Sequence, residues 1–246
     1  EYVFQNADKV IFLGRDQIEY VKENYKIQNE KIEYIPNWSR DLKEDFIKKD
    51  EIKEKYYKPG FNILYAGNIG DAQVESLKNI FNLMNDKKVK ENNIYLIVVG
   101  HGRKKDYLVD FAKENNIENI LFFDYVYDFS DYQNLIYYAD CCLVPLREEH
   151  KGMAVPSKTY YYLSGGKPIL ADVPIGSEID IALKEDNCGI NLKDCKREAA
   201  IEKLLYLKND KKFYDELCKN ARKAFEKKYS KDVALEKYLS VIENLI

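Results

Sequence analysis

The stretch VPSKTYYYLSGGKPILAD, residues 155–172, decides the fold. Pro156 suits the first position of a helix, because its missing N–H would have no partner there. Gly165 and Gly166 end that helix, and Pro168 cannot continue it. PILAD then reads as a buried strand, and CCLVPL (Cys141–Leu146) reads as another just upstream. A strand, a helix and a second strand in succession form the unit from which parallel sheets are built.

The same alternation runs outward. KVIFL (Lys9–Leu13) is a short strand, and Asp16 can cap the helix after it, with Ile18, Val21 and Tyr25 on one face. KIEYIPN (Lys31–Asn37) is a strand stopped by Pro36. The charged segment Trp38–Pro59 reads as a linker with a short helix. FNILYAG (Phe61–Gly67), IYLIVVG (Ile94–Gly100) and ILFFDYV (Ile120–Val126) are strands. Helices follow them near Val74–Asn85, Asp106–Asn115 and Tyr132–Ala139. From Glu198 the pattern is helical, with Leu204, Leu205, Tyr214, Leu217 and Ala221 spaced for packing. The expected class is α/β: a doubly wound, Rossmann-like parallel sheet with helices on both faces. Such sheets bind ligands beyond the carboxyl ends of their strands. The turns to watch are therefore Gly67–Gly70, Gly100–Arg103, Tyr125–Asp128, Arg147–Lys158 and Asp172–Glu178.

Composition narrows the function. Apolar residues make up 46% and charged residues 33% of the 246 residues, as in a soluble globular protein. A net charge of -3 argues against a nucleic-acid binder held by a broad basic field. No apolar run approaches the ~20 residues of a membrane span. The five cysteines lack metal-type spacing and suggest reduced thiols in a cytoplasmic protein. The chain begins at Glu1, so it reads as part of a longer gene product.

Each strand-end turn admits a plain and a functional reading. AGNIG (Ala66–Gly70) is either an ordinary tight turn or a place where the backbone approaches an anion at a helix start. GHGRKK (Gly100–Lys105) begins like a dinucleotide fingerprint, but Lys105 stands where the third glycine belongs. That substitution disfavours a nicotinamide-dependent dehydrogenase. Its cations either neutralise phosphate or form a solvated face. His101 and His150 have no metal-ligand partner at useful spacing, and no Asp-x-Asp offers a carboxylate seat for a metal. At Pro156 the N–H groups of Ser157, Lys158 and Thr159 would point out of the helix start, and Lys158 adds a full charge, together a seat for phosphate. Successive helical residues are about 100° apart, so Tyr160, Tyr161 and Tyr162 cannot share one environment.

The ordered set of these motifs resembles the C-terminal half of GT-B glycosyltransferases of the large retaining group 1, family 4. The pieces are ADKVIFL, KIEYIPNW, ILYAGNIGDAQ, IYLIVVGHGRKKDYL, NILFFDYV, YYADCCLVPL, VPSKTYYYLSGGKPILA and the GSE of Gly176–Glu178. The resemblance covers nearly the whole chain. It implies that residues 1–38 end an N-terminal acceptor-binding domain and 39–59 link the two. Residues 60–225 would form the donor-binding Rossmann-like domain, and 226–246 a helix crossing back toward the first.

The resemblance also implies roles. Gly67, Asn68 and Gly70 would border a donor diphosphate, and Arg103 could help to stabilise its charge; His101, at a strand end, is placed to touch a ligand. The backbone at Tyr125 and Val126 would pair with the nucleobase, and Ser157, Lys158 and Thr159 would hold phosphate oxygens. Many relatives carry two glutamates separated by seven residues, the second on this helix, where it binds ribose. Here Tyr161 stands at that second position, and neither Glu148 nor Glu149 has a glutamate eight residues on. Tyr161 is therefore expected to face the donor while Tyr160 or Tyr162 packs inside. The acidic role near the transferred sugar would fall to Glu148 or Glu149, whose plain alternative is a solvated loop. The implied activity is transfer of a sugar, with retention, from a UDP-sugar or another nucleoside-diphosphate sugar to a glycan or lipid-linked acceptor. It would need no metal or other cofactor and would serve surface polysaccharide biosynthesis. The acceptor would bind mainly to the rest of the protein, which could also touch the inner face of the membrane. The alternative is a nucleotide-sugar-binding module without transferase activity.

Overall fold

The computed structural model describes residues 2–245. The chain begins with α1 (Tyr2–Asn6), β1 (Val10–Phe12), α2 (Arg15–Asn24) and β2 (Ile32–Tyr34). It continues through α3 (Asp50–Tyr56), β3 (Phe61–Ala66), α4 (Asp71–Met84), α5 (Lys87–Glu91) and β4 (Ile94–Val99). Next come α6 (Lys105–Glu114), β5 (Ile120–Phe123), α7 (Phe129–Tyr138), β6 (Cys141–Pro145) and α8 (Lys158–Ser164). The chain closes with β7 (Ile169–Asp172), α9 (Glu178–Asp186), β8 (Gly189–Asn191), α10 (Arg197–Asn209), α11 (Lys211–Ala224) and α12 (Lys231–Glu243). A π-helical turn, Phe225–Tyr229, joins the last two.

Strands β3 to β8 form one parallel sheet in the order β5-β4-β3-β6-β7-β8. Strands β1 and β2 pair separately, also in parallel. This is the expected α/β, doubly wound, Rossmann-like parallel sheet, with helices on both faces. The chain moves outward from β3 to β5, then returns to β6 on the other side of β3. The direction reverses between β3 and β6, and a crevice opens at that point in folds of this kind.

Alternation along the central strands fills two cores. Leu64, Ala66, Ile97, Val99, Cys142 and Val144 face one layer, with α3, α7, α8 and α9. Ile63, Tyr65, Leu96, Val98, Cys141 and Leu143 face the other, with α4, α6, α10 and α11. Cys141 and Cys142 thus enter opposite cores, because neighbouring strand residues point to opposite faces. All five cysteines are free thiols.

Several local expectations need correction. Gly14, not Asp16, occupies the cap position of α2; Asp16 lies inside the first turn and is 2% exposed. Helix α8 begins at Lys158 rather than at Pro156, and strand β5 stops at Phe123. Helix α5 was not expected. The 39–59 segment contains the expected short helix, α3, and packs against its surroundings. Leu42, Ile52, Tyr56 and Tyr57 are buried. The Gln133 amide donates to the Leu42 and Glu44 carbonyls, and that of Asn134 to the Ile47 carbonyl.

Candidate functional site

A cleft of about 600 Å³ lies over the carboxyl ends of β3, β4, β5 and β6. Its floor is the turn after β3. Gly67 has φ +147°, a conformation that favours glycine, and a side chain there would sit 2.7 Å from the Lys158 Nζ. Gly100, after β4, packs so closely that a Cβ would fall 2.0 Å from the Gly67 carbonyl oxygen. The Ile69 N–H donates to the His101 carbonyl at 2.8 Å, which knits the two turns together. The Gln73 side chain accepts from the Gly70 N–H at 3.1 Å at the start of α4.

Lys158, the first residue of α8, extends over the Tyr65 ring with its Nζ 3.9 Å from the centroid. The Tyr65 hydroxyl donates to the Asn68 carbonyl. No carboxylate among the described residues pairs with Lys158, and burial pulls its ammonium down to about 7. A cation held in this way gains most from an incoming anion.

The tyrosine triplet separates into three environments. Tyr160 is buried against Tyr229, centroids 5.0 Å apart. Tyr162 is buried, and its hydroxyl donates to the Ala66 carbonyl at 3.2 Å and accepts from the Ala66 N–H at 3.1 Å. Tyr161, between them, lines the cleft edge-on to Phe129 (6.2 Å) and Tyr132 (5.8 Å). On the far wall His101 stacks on Tyr125 at 4.7 Å and 15°, and Tyr127 meets Tyr125 edge-on.

The cleft brings together Gly67, Asn68, His101, Tyr125, Val126, Ser157, Lys158 and Tyr161. Other candidates fall elsewhere. Thr159 is buried; its N–H donates to the Pro156 carbonyl, so it is not free for a ligand. Gly70 and Arg103 line a shallower neighbouring groove. Arg103 and Lys104 both pair with Asp71, and Lys105 pairs with Asp124 at 2.7 Å. The three cations are therefore used within the protein. Glu148 and Glu149 lie on a 3₁₀ turn outside the cleft lining, Glu148 3.7 Å from Lys193 and Glu149 3.1 Å from Arg147. Sequence reading missed Tyr65, Gln73, Phe129 and Tyr132, and marked Tyr127 only as part of the Tyr125–Asp128 turn. Phe129 and Tyr132 could have been found, since they are three apart on a helix and so share a face.

Comparison with known proteins supplies the family. Residues 46–224 match the model of glycosyl transferases group 1. The whole chain aligns, at 24% identity, with 60% of the length of the probable glycosyltransferase WbjE of Pseudomonas aeruginosa. WaaG, a glycosyltransferase of lipopolysaccharide biosynthesis, superposes with TM-score 0.72 at 18% identity, over 94% of this chain and 61% of its own. HepE of Anabaena, in complex with UDP and glucose, superposes with TM-score 0.73 at 13% identity, over 99% of this chain and 64% of its own.

Proposed function

The chain belongs to the group 1 glycosyl transferases, and from that premise we propose that it is the donor-binding part of a sugar transferase. The enzyme moves a sugar, with retention, from a nucleoside diphosphate to a glycan or lipid-linked acceptor in surface polysaccharide synthesis. Lys158 carries the reading: an ammonium without a carboxylate partner among the described residues, held in the cleft against Gly67 and Tyr65. A diphosphate laid over Gly67 would bring its oxygens to that charge. The base would lie toward Tyr125 and Val126, and the Tyr161 hydroxyl would meet the ribose where relatives use a glutamate. UDP is the favoured nucleotide, a choice supported by the UDP held by HepE.

In this reading the bond between the anomeric carbon and the diphosphate oxygen breaks while the acceptor hydroxyl attacks from the same face and passes its proton to the departing diphosphate oxygen. Lys158 stabilises the charge that develops on the leaving diphosphate, in place of a metal. The loop of Glu148 and Glu149 leads into the cleft wall and would supply the acidic group near the sugar. The acceptor binds mainly to the remainder of the enzyme. No helix among the described residues is long and apolar enough to cross a membrane; we place the enzyme in the cytoplasm, resting at the inner membrane face through the remainder.

Calorimetry with UDP, GDP and UMP tests this. UDP or GDP should bind more tightly than UMP. Lys158→Ala should cost tenfold or more, and Tyr161→Phe a smaller factor. Equal binding of UDP and UMP, unaffected by Lys158→Ala, would remove the diphosphate seat.

A further inference from the structure

The first turn of α2 reaches across to the back of the cleft wall. The Asp16 carboxylate accepts the Gly152 N–H at 3.0 Å, 136 residues away in sequence, and its other oxygen accepts the Gln17 N–H at 3.1 Å. Gly152 lies on the loop that supplies Ala154, Val155, Pro156 and Ser157 to the cleft. That loop is seated tightly on α2. A side chain on Gly152, at φ +73°, would stand 2.6 Å from the Tyr20 Cβ and 3.1 Å from the Asp16 carbonyl oxygen. A side chain on Gly14 would meet the Val155 Cγ2 at 2.8 Å.

An aspartate in the first turn of a helix is commonplace, because negative charge is favoured there. Such residues normally face water, whereas Asp16 is 2% exposed and directed at a backbone donor of the loop. The Gly152 N–H has no other acceptor among the described residues, so the carboxylate determines where the loop turns.

Resting on the donor reading above, we infer that Asp16 is a positioning residue: it sets the donor cleft wall through Gly152 and couples nucleotide binding to the seating of α2. Coupling of this kind is reciprocal. If α2 helps hold the wall for the nucleotide, the nucleotide must tighten α2, which does not line the cleft.

The test uses UDP and GDP as probes on the chain itself. Asp16→Ala should weaken the tighter of the two by about tenfold, the worth of one hydrogen bond to a charged group. Asp16→Asn keeps an oxygen acceptor and should bind within about twofold of wild type, on the same reasoning. Tyr34→Phe removes a 2.6 Å hydrogen bond to Glu178 at the same junction but leaves the loop alone. It should lower Tm while changing Kd by clearly less than Asp16→Ala does. Asp16→Ala that lowers Tm and leaves Kd unchanged would make the contact merely structural and overturn the inference. Should Asp16→Ala fail to fold, amide exchange on the wild type decides. UDP should slow exchange across Arg15–Asn24, and unchanged exchange there during saturable binding would overturn the coupling. Failure of the wild type to bind either nucleotide would instead overturn the donor reading, and this inference with it.

Discussion

Lys158 is the residue on which the proposed chemistry turns, and its surroundings give it a pH signature. Burial against Tyr65 and Gly67 holds its ammonium down to about 7. A diphosphate would raise that value again, because an opposite charge favours the protonated form. Between pH 7 and the higher value of the complex, binding takes up a proton. The affinity for UDP-glucose, whose diphosphate diester does not titrate there, should therefore fall from pH 7 to 8, below the range where the uracil ring loses its proton. Lys158→Met should bind weakly and without that slope, as calorimetry across the range would register. Stability without ligand runs the other way. The unfolded lysine holds its proton to a higher pH than the folded one, so the wild type gains stability from this group as pH rises above 7. Lys158→Met should be the more stable protein at pH 7, and the difference should narrow toward pH 9.

At the scale of elements, α8 shows how one short helix serves core and cleft together. Strand β6 pairs with β3 only at Ile63 and Leu64, so Ala66 loses its ladder partner on that side. The Tyr162 hydroxyl takes the place of the missing strand, accepting from the Ala66 N–H and donating to its carbonyl. Phenylalanine there would leave both backbone groups buried without that partner. Tyr162→Phe should destabilise the chain by about 2 kcal/mol, seen as a lower urea midpoint with an unchanged slope. The cleft should also loosen, because Gly67 follows Ala66 directly.

The strands of this region were legible because FNILYA, IYLIVV and CCLVP are near-continuous apolar runs, broken only by Asn62, as strands buried on both faces tend to be. The division of the tyrosine triplet was legible in outline, since helical geometry forbids a shared environment. Other features depended on distant partners. The fate of Thr159 was hidden because its N–H bonds to Pro156 in the turn before the helix. The pairing of Arg103 with Asp71 was hidden because a run of cations looks the same whether its partner is phosphate or a carboxylate on the next helix. Asp16 read as a cap because nothing near it in sequence shows that its acceptor is needed by Gly152.

For the molecule as a whole, the question is what holds the first 38 residues to the large sheet. A two-stranded sheet such as β1–β2 is marginal by itself. Its attachment is concentrated at Glu178, which is 1% exposed. One Glu178 oxygen accepts from the Arg15 backbone N–H at 2.7 Å and the Arg15 Nε at 3.0 Å. The other accepts from the Arg15 Nη2 at 2.9 Å and from the Tyr34 hydroxyl at 2.6 Å, while the Arg15 Nη1 donates to Glu185. Removing one member of a buried pair strands the other charge, at a cost of about 3 kcal/mol where both are enclosed. The Arg15 side chain keeps 29% of its exposure, and screening brings the cost nearer to about 2 kcal/mol. That loss falls on the small sheet and not on β3 and β4, whose contacts are independent of it. Arg15→Ala should therefore speed amide exchange in Val10–Phe12 and Ile32–Tyr34 by more than tenfold while Phe61–Ala66 and Ile94–Val99 exchange as in the wild type. Uniform acceleration of all four strands would mean that the small sheet and the large one unfold as a single unit, and that the Glu178 junction is continuous with the core.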